Sequence, residues 1–248
     1  MFKSSLFICL VCAPVLATAQ DGTNGISFWL GIGPQYGPGY FGADEPVLGT
    51  AAAFSVERFQ FGTITTGGEP RDGVSLRGSI RYIDGRSADD FDELAGLADI
   101  DPSLELGGSI GYRTGALKSY LALRYGVLGH EAVVAELGTD YAVDISPRVT
   151  ITAGPRALWG DDRYARTYFG VSPEEAGVSA FDAFDADAGF VSAGLNVEAR
   201  YAISDNWAVV GTITYDRLLG DAADSPITVS DDQISTSITV SRRFTFGF

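Results

Sequence analysis

From Val74 to Tyr82 the chain alternates without a break: Val74, Leu76, Gly78, Ile80 and Tyr82 take one parity, Ser75, Arg77, Ser79 and Arg81 the other. A period of two belongs to an extended strand whose successive side chains point to opposite faces. The pattern returns in Leu104, Leu106, Ile110 and Tyr112 against Glu105, Ser109 and Arg113, and in Leu121, Leu123, Tyr125 and Val127 against Lys118, Tyr120 and Arg124. It returns in Val133, Ala135, Leu137, Tyr141 and Val143 against Glu136, Asp140 and Asp144, and in Val149, Ile151, Ala153 and Trp159 against Thr150, Thr152 and Arg156. Two further runs are Val191, Leu195, Val197, Tyr201 and Ile203 against Ser192, Asn196, Glu198 and Arg200, then Trp207, Val209, Ile213 and Tyr215 against Thr212, Thr214 and Asp216. Ile26, Phe28, Leu30 and Ile32 open the series.

Length decides what these strands are for. They run to about 10 to 14 residues, whereas strands of soluble sheets average about five or six. A strand that crosses a bilayer at a tilt of about 45° needs about 9 to 11 residues, with apolar side chains outward and aromatic rings at the interfaces. Tyr82, Tyr112, Tyr141, Tyr201, Trp159 and Trp207 stand at or near run ends, as such a girdle requires. Arg77, Arg81, Glu105, Arg124, Glu136, Glu198 and Arg200 all fall on the polar parity. An Arg facing lipid at the midplane costs about 2–4 kcal/mol, so these seven are expected to face a lumen, where opposite charges can pair. A soluble sandwich with one wet face has the same period, but its strands are shorter and its turns closer together.

The connections alternate in length. Tight turns are expected at Thr114-Gly115, Ser146-Pro147-Arg148 and Ser204-Asp205-Asn206, and long segments at about 84–102, 161–188 and 219–232. Short periplasmic turns alternating with long extracellular loops are the outer-membrane pattern. The runs predict an all-β, antiparallel transmembrane barrel of ten strands, or twelve if 48–65 divides at Glu57-Arg58 and another strand is hidden. Phe244, Phe246 and Phe248 then form the lipid-facing side of the closing strand. Only Arg242 breaks its parity, and it is expected to snorkel or to sit at a bulge.

The first nineteen residues carry Lys3, the apolar run from Leu6 to Leu16, and Ala17-Thr18-Ala19, which reads as a secretory signal with a small-residue cleavage site. The expected organisation is a signal peptide over 1–19 and a single barrel domain over 20–248. The run is far short of the roughly 20 residues of a spanning helix. Cys9 and Cys12 both lie inside it, so the exported chain would carry no thiol. Without Lys3, sixteen basic residues face thirty-two acidic ones, which argues against a nucleic-acid partner.

Catalysis finds little support. His130 is the only histidine, set in the short Gly129-His130-Glu131 connection, and an exposed loop position is expected for it rather than a nucleophile's partner. A His/Cys zinc site lacks ligands. Asp89, Asp90, Asp92, Glu93, Asp99 and Asp101, and further on Asp182, Asp185 and Asp187, make acidic loops without the spacing of a calcium loop. They are expected to be solvated charge, with a divalent bridge to lipopolysaccharide phosphates as the functional alternative. No cofactor is expected. Two short loop helices look encoded: one capped by Ser87, with Phe91, Leu94 and Leu97 at a spacing of three, and one at Ser172-Pro173-Glu174-Glu175, with a cap, a first-position proline and an acid at the third.

Four stretches exceed barrel grammar: "RYIDGRSADDFDELAGLADIDPSLELGGSIGY" (81–112), "VAELGTDYA" (134–142), "AGPRALWGDDRYARTYFGVSPEEA" (153–176) and "YDRLLGDAADSPI" (215–227). Through them the chain resembles the MipA/OmpV family, the MltA-interacting proteins of the Gram-negative outer membrane. That resemblance implies an outer-membrane barrel; a monomer in contact with the lipid bilayer and lipopolysaccharide is expected. The resemblance implies no enzyme, but a scaffold joining a lytic transglycosylase to a murein synthase at the periplasmic face. The alternative is a small-solute channel with a charged lumen.

Overall fold

A computed structural model describes residues 24–62, 64–67 and 72–248; the expected signal peptide lies outside them. Among the described residues eleven strands form one antiparallel sheet: β1 (Gly25–Pro38), β2 (Pro46–Phe61), β3 (Ile64–Gly67), β4 (Gly73–Ile83), β5 (Ser103–Thr114), β6 (Leu117–Leu128), β7 (Val133–Ser146), β8 (Val149–Gly160), β9 (Gly189–Ser204), β10 (Trp207–Leu218) and β11 (Asp232–Gly247). Ten are 11–16 residues long, and β3 has four. The expected ten long strands are therefore present, and the odd number comes from β3. No helix among the described residues is long and apolar enough to cross a membrane.

The parity of the sequence becomes the two faces of a wall. Along β4 every second residue from Val74 to Tyr82 is exposed, while Ser75, Arg77, Ser79 and Arg81 are half-buried. Ile32, Leu48 and Val74 are 66%, 77% and 70% exposed, and the same face continues through Leu121, Leu137, Leu195, Ile213 and Ile238. An apolar surface of this extent belongs in hydrocarbon, not water.

The two ends of the chain close the wall. β11 pairs with β1 in the register Phe28↔Phe244 and Ile32↔Val240. Phe28 stacks on Phe244 and Phe246, with ring centroids 5.5 and 5.9 Å apart, so the terminal aromatic stripe covers the outside of the closing seam. Arg242 lies on that outer face beside Trp207. Its guanidinium is 5.3 Å from the Trp207 ring centroid and 5.2 Å from that of Phe244, the aromatic shelf an interfacial cation can use.

β2 is not divided at Glu57. The ladder to β1 runs Ser27↔Arg58 and then Phe28↔Val56, so Glu57 has no β1 partner and is a bulge. The bulge switches the parity of the strand: Phe54 and Val56 stand opposite Leu30 and Phe28, and beyond the bulge Phe59 stands opposite Ile26. β3 then folds back on Arg58–Phe61. Among the described residues no ladder joins β2 or β3 to β4, so the sheet, which runs in the order β3-β2-β1-β11-β10-β9-β8-β7-β6-β5-β4, meets itself there unlaced.

The connections put tight turns at one end of the barrel and long segments at the other. At the loop end three short helices form among the described residues, α1 (Asp162–Phe169), α2 (Pro173–Ala176) and α3 (Asp221–Asp224), along with a 3-10 turn at Asp92–Leu94. The helix expected after Ser87 is not formed. The Ser87 hydroxyl accepts from the amide of Asp89 instead, and the 3-10 turn starts at Phe91 with no side-chain cap. The helix expected after Ser172 is present with a complete capping box. Two apolar clusters pack this end. One joins Tyr164, Ala165, Tyr168 and Phe169 to Val134, Leu158 and Val191 of the wall; the other joins Leu94, Leu97 and Ile227 to Tyr40 and Val171.

Candidate functional site

The interior divides into two halves along the barrel axis, and in the loop-end half a charge network packs the side toward β4–β7, beside a cavity of about 340 Å³ lined by Gln35, Tyr40, Arg81, Tyr168, Asp216 and Gln233 among others. Glu105, fully buried on the polar parity of β5, is the network's hub. Its carboxylate accepts from Arg81 Nη2 at 2.6 Å, from Arg124 Nε at 2.8 Å and from His130 Nε2 at 3.2 Å. Arg124 continues the chain, donating through Nη2 to Glu136 Oε2 at 2.7 Å and through Nη1 to Ser79 Oγ at 3.1 Å. The Tyr120 hydroxyl donates to Glu136 Oε1 at 2.8 Å. The strands explain the convergence: Arg81↔Glu105 and Ala122↔Glu136 are direct cross-strand partners, and Glu105 and Arg124 lie on the inner parity of neighbouring strands.

α1 closes this half from above. Asp161 caps it, its carboxylate accepting from the amide of Tyr164 at 2.9 Å, and the inward face carries Tyr164, Ala165, Tyr168 and Phe169. The Tyr164 hydroxyl accepts from Arg81 Nη2 at 3.1 Å, and Tyr168 donates to Ser103 Oγ at 3.0 Å. Phe41, from the β1–β2 loop, meets Tyr168 edge-on at 5.1 Å. This plug was not foreseen from sequence. Its signal was Asp161 followed by apolar groups at 164, 165, 168 and 169, one face of a short helix.

His130 is 3% exposed, contrary to the exposed loop position expected for it. Gly126 has no side chain on the inner face of β6, and the imidazole fills that space; a Cβ there would stand 2.5 Å from the ring. Gly129, at φ +80°, turns the chain inward to deliver it. Nδ1 accepts from the amide of Ala132 at 3.0 Å, which places the proton on Nε2, facing Glu105. Both ring nitrogens are occupied, so the residue ties the wall to the loop and presents no free base.

The turn-end half is a cavity of about 550 Å³ lined by Trp29, Glu57, Arg77, Arg113, Lys118, Asp140, Arg156, Glu198 and Arg200 among others. Of the seven residues singled out in the sequence, Arg81, Glu105, Arg124 and Glu136 meet in the loop-end network, and Arg77, Glu198 and Arg200 border this cavity. The contrast in pairing is sharp. Among the described residues, Glu57 is ion-paired with Arg243, but none of Arg77, Arg113, Lys118, Arg156 or Arg200 has a carboxylate within 4 Å. Arg200 lies over the Trp29 ring at 4.0 Å.

At the loop surface, burial, followed by the Glu93 carboxylate, pushes the Tyr40 phenol up to about 12. Burial opposes ionisation of Glu175, but donors outweigh it, namely the amides of Ala98 and Ser172 and the Ser172 hydroxyl, and its carboxyl sits below the usual range. The acidic loops hold no group of three or more ligand side chains arranged for a metal among the described residues. Several of their carboxylates are spent on the fold: Asp99 accepts from the amide of Ala88, Asp185 from Arg166 and Asp221 from the amide of Asp187.

Long strands, an apolar exterior, a polar interior and loops gathered at one end define a transmembrane β-barrel of the outer-membrane type. The sequence matches the family described as MltA-interacting protein MipA over residues 30–244, and the chain belongs to that family. The family's description is of an interacting protein rather than an enzyme. No curated protein matches the sequence. Among solved structures, an outer membrane channel from Pseudomonas putida F1 is 10% identical, with 92% of this chain and 97% of that chain covered and a TM-score of 0.44. OmpT of Vibrio cholerae is 8% identical, with 94% and 100% covered and a TM-score of 0.34. The CymD monoaromatic hydrocarbon channel is 10% identical, with 93% and 89% covered and a TM-score of 0.35.

Proposed function

We propose that this protein is a sealed, monomeric barrel of the Gram-negative outer membrane that serves as a scaffold for murein-synthesising and lytic transglycosylase enzymes. The seal is supported by one observation, the docking of Tyr164 onto Arg81 above the buried Glu105–Arg124–Glu136 network. On the β4–β7 side of the lumen water and ions meet a packed aromatic layer and paired buried charges, which are costly to open, while a cavity of about 340 Å³ beside Arg81 and Tyr168 speaks for the channel reading. The family's description as MltA-interacting protein supports the scaffold role. In this reading the chain is exported by cleavage after residue 19 and residues 20–248 form one domain. The loop end faces lipopolysaccharide, and the short turns carry the enzyme contacts. The seven charges Arg77, Arg81, Glu105, Arg124, Glu136, Glu198 and Arg200 face the lumen.

The test pairs two measurements on the mature chain. In planar bilayers the barrel should stay electrically silent, and from solubilised envelopes it should retain a lytic transglycosylase and a murein synthase. Steady ohmic current sinks the sealed reading and favours the second one, a small-solute channel, for which the charged turn-end cavity speaks. Silence without retention of either enzyme sinks the scaffold.

A further inference from the structure

The turn-end cavity gathers cations in a chain that is otherwise poor in them. The whole sequence has seventeen Lys and Arg against thirty-two Asp and Glu, yet Arg77, Arg113, Lys118, Arg156 and Arg200 line one space of about 550 Å³. They come from five different strands, so their meeting is a property of the closed wall rather than of a local basic run. The acidic groups in the same space are Glu57, Asp140 and Glu198. Glu57 is occupied by Arg243, which leaves two carboxylates to face five cations.

Two details distinguish this from solvated surface charge. None of the five cations has a carboxylate within 4 Å among the described residues, and the Nε atoms of Arg77 and Arg156, like that of Arg81 in the loop-end network, are buried without a hydrogen-bond partner. A buried donor left unmade costs about 1–3 kcal/mol, more when charged, so cavity-lining guanidinium groups that lack a carboxylate favour an anionic acceptor. The guanidinium of Arg200, stacked on Trp29, is held in one place without using its N–H groups. Held guanidinium forks and excess positive charge at low dielectric are the means by which proteins recognise oxyanions.

We infer that the turn-end half of the barrel is a binding site for a small multivalent oxyanion, one bearing phosphate or carboxylate groups, held by Arg77, Arg156 and Arg200. Arg113 and Lys118 supply the surrounding positive field. The inference stands apart from the scaffold and the seal, since a plugged barrel and an open one would both hold the anion.

Isothermal titration calorimetry on the mature chain refolded in neutral detergent, at low ionic strength and neutral pH, tests it with pyrophosphate and citrate as probes. Saturable binding of at least one is expected, weakening steeply with added salt. Tighter binding of pyrophosphate identifies phosphate as the preferred group, and tighter binding of citrate identifies carboxylate. The double substitution Arg77→Gln, Arg156→Gln should weaken binding by about a hundredfold, on the basis of about tenfold for each charge-assisted contact. Arg166→Gln, on the exposed loop, should leave it unchanged. Asp140→Asn removes a competing carboxylate and should tighten binding several-fold, which keeps the idea exposed if the double variant does not fold. No saturable heat with either probe, equal affinity in the double variant, or an affinity unmoved by Asp140→Asn overturns the site.

Discussion

The two halves of the interior are built from the same residue types and solve opposite problems. In the loop-end half Arg81, Glu105, Arg124 and Glu136 are ion-paired with one another: Glu105 takes three donors, Arg124 spans two carboxylates and Ser79, and α1 docks on them through Tyr164. In the turn-end half five cations line a cavity, and none of the five has an ion-pair partner among the described residues. Since strand parity sends both sets inward, parity alone does not decide their fate. Cross-strand register separates most of them: Arg81 stands directly opposite Glu105, whereas Arg77 stands opposite Ser109 and Arg113 opposite Lys118. Lys118 also faces Asp140 across the next ladder without an ion pair, so side-chain reach matters as well. The same inward-facing grammar thus yields a bolt at one end and an electrostatic vacancy at the other.

The difference can be broken most severely at the hub. Replacing Glu105 by Ala leaves two guanidinium groups and an imidazole N–H without their acceptor, and should cost about 3–5 kcal/mol in the urea unfolding of the refolded barrel, followed by tryptophan fluorescence. A loss below about 1 kcal/mol would show that the network is ornamental. Tyr164→Phe keeps the ring and removes the hydroxyl that accepts from Arg81. It should cost about 1–3 kcal/mol by the same measurement and loosen α1. Arg77→Gln is expected to move the other way: removing an unpaired, half-desolvated cation should leave stability within about 1 kcal/mol of the parent, on the stabilising side. A marked loss there would erase the contrast between the halves.

The mildest effect is a titration at the loop surface. Glu175 has a folded pKa below its unfolded value, so its contribution is complete above the unfolded value of about 4.3 and disappears as the pH falls through the lower folded value. Amide exchange at Ala98 and Ser172, corrected for intrinsic rate, should therefore gain protection as the pH rises past about 4. Glu175→Gln should flatten that dependence. A dependence unchanged by the substitution points to another group.

Much of the wall was legible because its code is local. Val74–Tyr82 reveals two faces by alternation alone, and strand length separates a membrane wall from a soluble sheet. Ser172-Pro173-Glu174-Glu175 was equally readable, since a capping box lies within four residues. What escaped is what depends on distant surroundings. His130 looks like a loop residue until Gly126 is seen to leave it a socket and Glu105 an acceptor. α1 has only eight residues, and its amphipathic face means little until a barrel mouth is there to receive it. The Glu57 bulge cannot be told from a break in the strand by parity alone, because both invert the pattern; only the ladder to β1 distinguishes them. Pairing within the lumen was unreadable for the same reason, since inward residues are known from one strand and their partners from the next.

The meeting of β4 with β2 carries a mechanical consequence. Elsewhere each neighbouring pair of strands is joined by a long row of backbone hydrogen bonds, and in hydrocarbon such a row is hard to part because no water waits to replace it. Where that stitching is missing among the described residues, side-chain contact and the surrounding acyl chains bear the load. Heat, force or a competing strand will therefore unzip the cylinder from that line, and the folded chain carries its own tear strip.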